Sequence, residues 1–153
     1  MALKERINAD LKATMLSGDK FKSEVLRGLK AAILNEEVAA GKRDEGLDDL
    51  SIEQVVAREV KKRQESAALY EQNGRSESAA DETKEAEILS EYLPAQLSQD
   101  ELQAVVEAVI KQMGANGIGD MGKVIGAVKS KVGNTASGAA VADLVKQALS
   151  QSK

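Results

Sequence analysis

Lysines and glycines lie close together in residues 119–138, GDMGKVIGAVKSKVGNTASG, a stretch with a single acid inside a chain of net charge −4. When this stretch is drawn as a helix at about 100° per residue, its small residues share one side: Gly122, Gly126, Ser130 and Gly133. Lys123 and Lys129 flank that side. Ammonium groups beside bare backbone suit phosphate oxygens, so the chemistry indicated here is the binding of a polyanion.

The opposite side of the same predicted helix is apolar. It carries Met121, Val124, Ile125, Val128 and Val132. A glycine inside a helix costs roughly 1 kcal/mol relative to alanine, so two of them suggest that something approaches the backbone closely. One interpretation is a helix packed over the glycines, which is either the fifth or seventh helix of this chain or, in a protein–protein adaptor, a helix of a partner protein. The other is a docking face for a polyanion backbone, with lysines on both rims.

Most catalytic chemistry is disfavoured by residue type. The chain has no cysteine and no histidine, which removes thiol nucleophiles, imidazole bases and the usual zinc sites. Adjacent carboxylates at 36–37 and 48–49 lack an apolar setting that would tune their pKa for acid–base work. The glycines of residues 114–122 follow a predicted helix and lack the phosphate-loop pattern. We therefore predict no catalytic residue, no metal and no cofactor.

Composition favours an all-α fold. Hydrophobic residues make up 42% of the 153, with three aromatics and one proline. The core must therefore be built from Leu, Ile, Val, Ala and Met. Apolar residues recur at helical spacing in seven segments, four before Pro94 and three after it.

Local signals mark where these helices begin and end. The predicted boundaries are Asp19 as the cap of the second helix, a Ser51–Gln54 capping box for the third, Ser78 and Leu93 as the ends of the fourth, a Ser98–Glu101 capping box for the fifth and Asp120 as the cap of the sixth. Pro94 is expected to end the fourth helix because it disfavours helical geometry at the preceding residue. Residues 41–50 are polar and broken by glycines, which predicts an exposed, mobile loop.

Two parts are expected, residues 1–93 with four helices and residues 98–153 with three, joined by a movable hinge at 94–97. The second part has a net charge of +1 and the remainder −5. The first twelve residues are charged and contain no apolar stretch resembling a signal peptide, so none is expected, and no apolar run approaches the length of a membrane span. A cytoplasmic protein without a membrane partner is expected, and no pattern specifies its oligomeric state.

Ion pairs are expected across a predicted turn at residues 73–74. Arg63 precedes that turn and Arg75 follows it. An antiparallel hairpin would bring both arginines close to Glu85 or Glu87. The basic residues between 58 and 63 alternate with glutamates, so they form either a solvated, pair-forming face or a nucleic-acid patch.

The chain resembles the YqeY family over nearly its whole length. The residues that carry the resemblance are Leu26-Arg27, Arg63, Tyr70, Gly74-Arg75, Glu85, Glu87, Tyr92-Leu93-Pro94 and the segment 121–149. That last segment also looks like the tail domain of the GatB subunit of the tRNA-dependent amidotransferase, which amidates Glu-tRNA(Gln) or Asp-tRNA(Asn).

The resemblance implies a two-part all-α fold and an affinity for tRNA, modest in isolation, through the C-terminal part. Components of amidotransferase or aminoacyl-tRNA synthetase complexes are candidate partners. The residues expected to bind nucleic acid are Gly122, Lys123, Gly126, Lys129, Lys131 and Gly133. The resemblance does not imply catalysis by this chain, since amide-forming chemistry resides in the larger GatB body and would need partner subunits. A family label of carbon–nitrogen ligase with glutamine as amido-N-donor would come from the shared tail domain and would not describe an activity of this chain.

Overall fold

Seven α-helices build the part of the chain that the computed structural model describes, residues 2–151, and no strand occurs there. The helices are α1 Leu3–Ser17, α2 Lys20–Ala39, α3 Asp49–Gln72, α4 Ser76–Ser90, α5 Gln99–Met113, α6 Met121–Val132 and α7 Gly138–Gln151. Two single 3₁₀ turns, Ile118–Asp120 and Gly133–Thr135, lie on either side of α6. The predicted all-α fold is confirmed.

The first compact unit extends to Leu93 and contains α1 to α4. The helices α3 and α4 form an antiparallel hairpin. The core of the unit is aliphatic apart from Tyr92, as the low aromatic content requires. Its largest fully buried apolar side chains are Ile7, Leu26, Leu29, Ile52 and Leu89.

The second unit begins at Pro94 and contains α5 to α7. Its core consists of valines and leucines contributed by all three helices. The fully buried members are Val106, Val109, Val124, Val128, Val141, Val145 and Leu149. Each unit therefore has a core of its own, made from one apolar face per helix.

Two of the predicted helix starts are confirmed by their hydrogen bonds. The Asp19 carboxylate accepts the backbone N–H of Lys22, and Ser98 and Glu101 form the complete reciprocal capping box. The predicted Ser51–Gln54 box is wrong. Helix α3 begins at Asp49, because the Asp48 carboxylate accepts the backbone N–H of Ser51 at 2.8 Å and takes the capping position.

The predicted bounds of α4 are also wrong at both ends. The helix begins at Ser76 and ends at Ser90, before Leu93. Tyr92 and Leu93 instead make tight turn hydrogen bonds to residues three positions earlier. Tyr92 is thereby directed into the core, where its hydroxyl donates a 2.6 Å hydrogen bond to Asp10. Burial, together with this hydrogen bond, raises the pKa of Tyr92 above its ordinary value.

The predicted mobile loop is fixed to the first unit by a buried carboxylate. Glu37, only 2% exposed, accepts hydrogen bonds from Lys4 Nζ at 2.7 Å and from the backbone N–H of Leu47 at 3.0 Å. A Cβ on Gly46 would lie 3.2 Å from the Glu37 carboxylate, and the φ of Gly46 is +78°, so the loop requires glycine there. Residues 41–45 are exposed as expected, but Leu47 packs against the core.

The charged form of Glu37 is stabilised by these donors. The hydrogen bond from Lys4 is the main influence that lowers the pKa of Glu37; burial opposes it and the Leu47 N–H assists it. Because the pKa is lower in the folded state, the stabilisation is present above the ordinary glutamate pKa and is lost as the pH falls below it.

We predict that Glu37→Gln lowers the free energy of unfolding at neutral pH by about 1–3 kcal/mol, since hydrogen bonds to a charged group are lost. The measurement is urea denaturation at neutral pH and at about pH 4, near the ordinary glutamate pKa. Wild type should lose more stability between the two pH values than the variant. The neighbouring Glu36→Gln, which removes only the exposed pair with Arg58, should cost under about 1 kcal/mol. Equal pH dependence in wild type and Glu37→Gln would contradict this role.

None of the described helices is both long enough and apolar enough to cross a membrane.

Candidate nucleic-acid interface

The rotation of α6 about its own axis is set by three valines. Val124, Val128 and Val132 are buried in the core of the second unit, while Met121 and Ile125 are half-buried beside them. These five residues are the predicted apolar face. The opposite side of the helix must therefore point away from the core.

The glycine stripe lies on that outward side. Gly122, Gly126, Ser130 and Gly133 are all exposed. A Cβ built on Gly122 or Gly126 would meet no atom of the described residues within 4 Å beyond the backbone of its own helix. The interpretation in which another helix of this chain packs over the glycines is wrong, because the valines already direct the other face inward. Backbone is left uncovered along two turns of α6.

Exposed lysines lie on α6 beside the uncovered backbone. Lys123 and Lys129 flank the stripe, and Lys131 lies further round the helix. All three are exposed, and none forms an ion pair within residues 2–151. Lys131 Nζ donates only a long 3.4 Å hydrogen bond to Gln112 Oε1. Lys129 and Lys131 lie in the last turn of α6, where cations also interact favourably with the helix dipole.

The start of α6 differs from the prediction. Asp120 occupies the cap position, but its carboxylate accepts the N–H of Asn116 at 3.2 Å and makes no capping bond to α6. The preceding 3₁₀ turn provides the entry into the helix instead. At the other end Gly133 has φ +56°, so backbone geometry alone accounts for that glycine.

Gly138 lies close to the lysines of α6, although the sequence pattern gave it no role. Lys129 Nζ lies 3.4 Å from the position that a Cβ on Gly138 would take, at the first residue of α7. The Lys129 side chain therefore reaches the first residue of α7, so its amine lies near the start of a second helix. The contact joins two helices, so spacing along the chain carries no signal for it.

The predicted ion pairs across the α3–α4 hairpin are found for one arginine only. Arg63, with 17% of its side chain exposed, lies 3.8 Å from Glu85 and 3.1 Å from Glu59 on its own helix. The buried Arg63 Nε has no hydrogen-bond partner among the described residues, so the contact with Glu85 is electrostatic. Arg75 and Glu87 are exposed and form no ion pair within residues 2–151.

The surroundings of Arg63 are consistent with a structural role. Burial alone would raise the pKa of Glu59, but hydrogen bonds from Lys62 and Arg63 lower it overall. Burial and the nearby Glu82 raise the pKa of Glu85. Arg58 pairs with Glu36 at 3.1 Å, so three of the basic side chains of residues 58–63 are engaged with glutamates. The pair-forming interpretation of this run is favoured over a nucleic-acid patch.

Metal-binding geometry is not found in residues 2–151, where no three His, Cys, Asp or Glu side chains are grouped to hold an ion. The fold and the α6 face together define a small all-α protein whose most distinctive exposed feature is a basic, glycine-lined helix. The sequence profile of the Yqey-like protein family matches residues 4–149, and the chain belongs to that family.

The chain is similar to proteins of the same name from two organisms. The chain is 30% identical over 109 residues to altered inheritance of mitochondria protein 41, mitochondrial, of Eremothecium gossypii, covering 70% of this chain and 58% of that protein. Its counterpart of the same name in Clavispora lusitaniae is 27% identical over 134 residues, covering 86% and 74% respectively. The chain thus spans somewhat over half the length of the first relative.

We predict that Gly126→Ala stabilises the protein by up to about 1 kcal/mol, because a helical glycine with free space around it contributes only conformational entropy to the unfolded state. Gly126→Leu should also fold. As a calibrating control, Gly114→Ala should destabilise by about 1–2 kcal/mol, since Gly114 is left-handed with φ +66°. Thermal unfolding measures all three. Destabilisation by both Gly126 variants would mean that the stripe is covered.

Proposed function

We propose that the protein is a non-catalytic tRNA-binding accessory module that binds through α6 of the second unit. The single observation that carries the proposal is the exposed glycine stripe flanked by Lys123 and Lys129, with Lys131 further round the same helix; none of the three lysines has an acidic partner within residues 2–151. Packing within the described chain does not explain why positions 122 and 126 are glycine. The close approach of a ligand backbone would explain it.

Phosphate is the group that this face suits best. Lysine ammonium groups neutralise phosphates as point charges, and uncovered helix backbone lets a phosphodiester chain come close. The Lys129 amine also reaches the first residue of α7, so the start of that helix lies beside the same face. With three lysines the affinity should be modest and steeply salt-dependent, so a partner that adds contacts would strengthen it.

The choice of tRNA among polyanions comes from the resemblance of residues 121–149 to the GatB tail. In this proposal the carbon–nitrogen ligase label describes a shared domain, and any amidotransferase activity belongs to partner subunits. Amidotransferase or aminoacyl-tRNA synthetase components are the proposed neighbours, in the cytoplasm. The names of the two relatives concern mitochondrial inheritance and specify no ligand.

A protein–protein adaptor is the second candidate function. The same uncovered backbone at Gly122 and Gly126 would let a helix of another protein pack closely on α6. In that case the lysines would pair with acids at the rim of the interface, where they contribute on-rate and specificity more than affinity.

We predict measurable binding to total tRNA at low salt by the full chain. If three phosphates are neutralised, a fourfold rise in salt should weaken binding roughly 20- to 40-fold. The triple variant Lys123→Gln, Lys129→Gln, Lys131→Gln should lower the affinity and reduce the salt slope by about one unit per lysine lost. Gly126→Leu should fold but bind less. Filter binding or fluorescence anisotropy at two salt concentrations measures each of these.

The matched control removes three exposed charges from the first unit: Lys20→Gln, Lys42→Gln, Lys61→Gln. It has the same change in net charge, so it should leave the salt slope almost unchanged if α6 is the interface. No tRNA binding by wild type at low salt would overturn the proposal. An equal loss in both triple variants would show nonspecific attraction. Binding that persists unweakened at high salt would contradict a phosphate-led mode.

A further inference from the structure

A groove between α1 and α2 in the first unit has no occupant within the described chain. It contains a cavity of about 280 Å³ lined by Lys4, Ile7, Asn8, Lys30, Ala31, Ile33, Leu34 and Glu37. We propose that this groove binds an acidic amphipathic helix of a partner protein. The site lies in the unit that takes no part in the proposed tRNA binding and is independent of it.

The groove follows two antiparallel helices. Lys4 pairs with Glu37 near one end of the helix pair, and Ser23 Oγ donates to Thr14 Oγ1 at 3.0 Å near the other. The residues of α2 that line the cavity run from Lys30 to Glu37, about 10 Å at the helical rise, so about two turns of a helix match its length.

The α2 wall of the groove carries an exposed apolar row. Leu34 is 44% exposed and Val38, one turn further along α2, is 56% exposed. Ala31 lies one turn before Leu34 and is exposed as well. Apolar residues one turn apart are the pattern that an amphipathic helix engages with its own i and i+4 side chains. The core of the unit does not use this row.

The charge at this surface selects an acidic partner. Lys30 lines the cavity, and Lys12 and Arg27 lie one helical turn from its lining residues Asn8 and Ala31. All three cations are exposed and form no ion pair within residues 2–151. Glu37 is already satisfied by Lys4. The exposed acids closest to these positions along the two helices are Glu5 and Glu24. These cations line or flank the cavity, and charge complementarity favours acids on the partner.

The shape disfavours other occupants. The cavity lining is mostly aliphatic and its one carboxylate is already paired with Lys4, so few polar groups are left to orient a cofactor and anchor side chains of a partner suit it better. Binding to a bilayer surface needs a protruding apolar face, whereas this surface is a recess between two helices. No strand exists in residues 2–151 to receive an extended peptide at a sheet edge.

The test uses the full-length protein and a fluorescent peptide of about 14 residues, long enough to fill the groove. The peptide carries leucines at i, i+4, i+7 and i+11 with glutamates and alanines elsewhere. One control peptide replaces glutamate by lysine, and another scrambles the leucine spacing. Anisotropy at low salt should show saturable binding of the acidic amphipathic peptide only.

Two groove variants test the location. The triple charge reversal Lys12→Glu, Arg27→Glu, Lys30→Glu and the single change Leu34→Glu should each weaken peptide binding at least about tenfold. The matched reversal Lys20→Glu, Lys61→Glu, Arg75→Glu should stay within about twofold because those positions lie outside the groove. All substituted positions are exposed, and circular dichroism checks folding. If Leu34→Glu fails to fold, Leu34→Ala replaces it with the same expected direction.

Each outcome decides the proposal. Absence of binding by the acidic peptide, or equal binding by the scrambled peptide, overturns it. An equal loss in the two charge-reversal variants also overturns it, because the attraction would then be nonspecific. Vesicles of phosphatidylglycerol and phosphatidylcholine serve as the competing probe. If they bind and displace the peptide, the surface recognises anionic lipid and the partner helix is contradicted.

Discussion

The burial of Val124, Val128 and Val132 is the constraint on which the α6 face depends. With almost no aromatic residues available, the core of the second unit is filled by valines and leucines from three helices. Rotating α6 to cover its glycines would expose three valines, at a cost of roughly 1.5–3 kcal/mol for each side chain. That cost exceeds the free energy that packing over two glycines could contribute. The uncovered backbone is therefore a consequence of the core, and the lysines border it because they occupy the remaining positions of the helix.

The first unit depends in a similar way on one polar contact. Glu37 receives Lys4 from α1 and the Leu47 N–H from the loop before α3, so a single carboxylate joins three segments of the chain. A buried carboxylate without these donors would be strongly destabilising, whereas with them it fixes one path for the loop. The same contact places α1 against α2. The groove beside it is thus formed on a framework that cannot slide without breaking the Lys4–Glu37 pair.

Predictions from the sequence succeeded where the determinants are local. The Ser98–Glu101 box and the Asp19 cap need only neighbouring residues, and the valine spacing of α6 defines its buried face. They failed where distant residues decide. Helix α3 starts at Asp49, and the carboxylate of this residue accepts the Leu3 N–H from α1. Helix α4 ends two residues before Tyr92, whose hydroxyl donates a hydrogen bond to Asp10. Glu37 appears in the sequence as one acid among many. The exposure of the glycine stripe was undecided because glycine is equally compatible with close packing and with open solvent.

The proposed tRNA contact of α6 is tested most directly by amide NMR of the full-length protein during titration with tRNA at low salt. We expect the largest shift changes on residues 122–133 and on the first turn of α7, near Gly138, and we expect added salt to reverse them. Residues of the first unit should be almost unaffected. Changes concentrated in the first unit, or none at all at tRNA concentrations where binding is otherwise detected, would contradict a tRNA contact through α6.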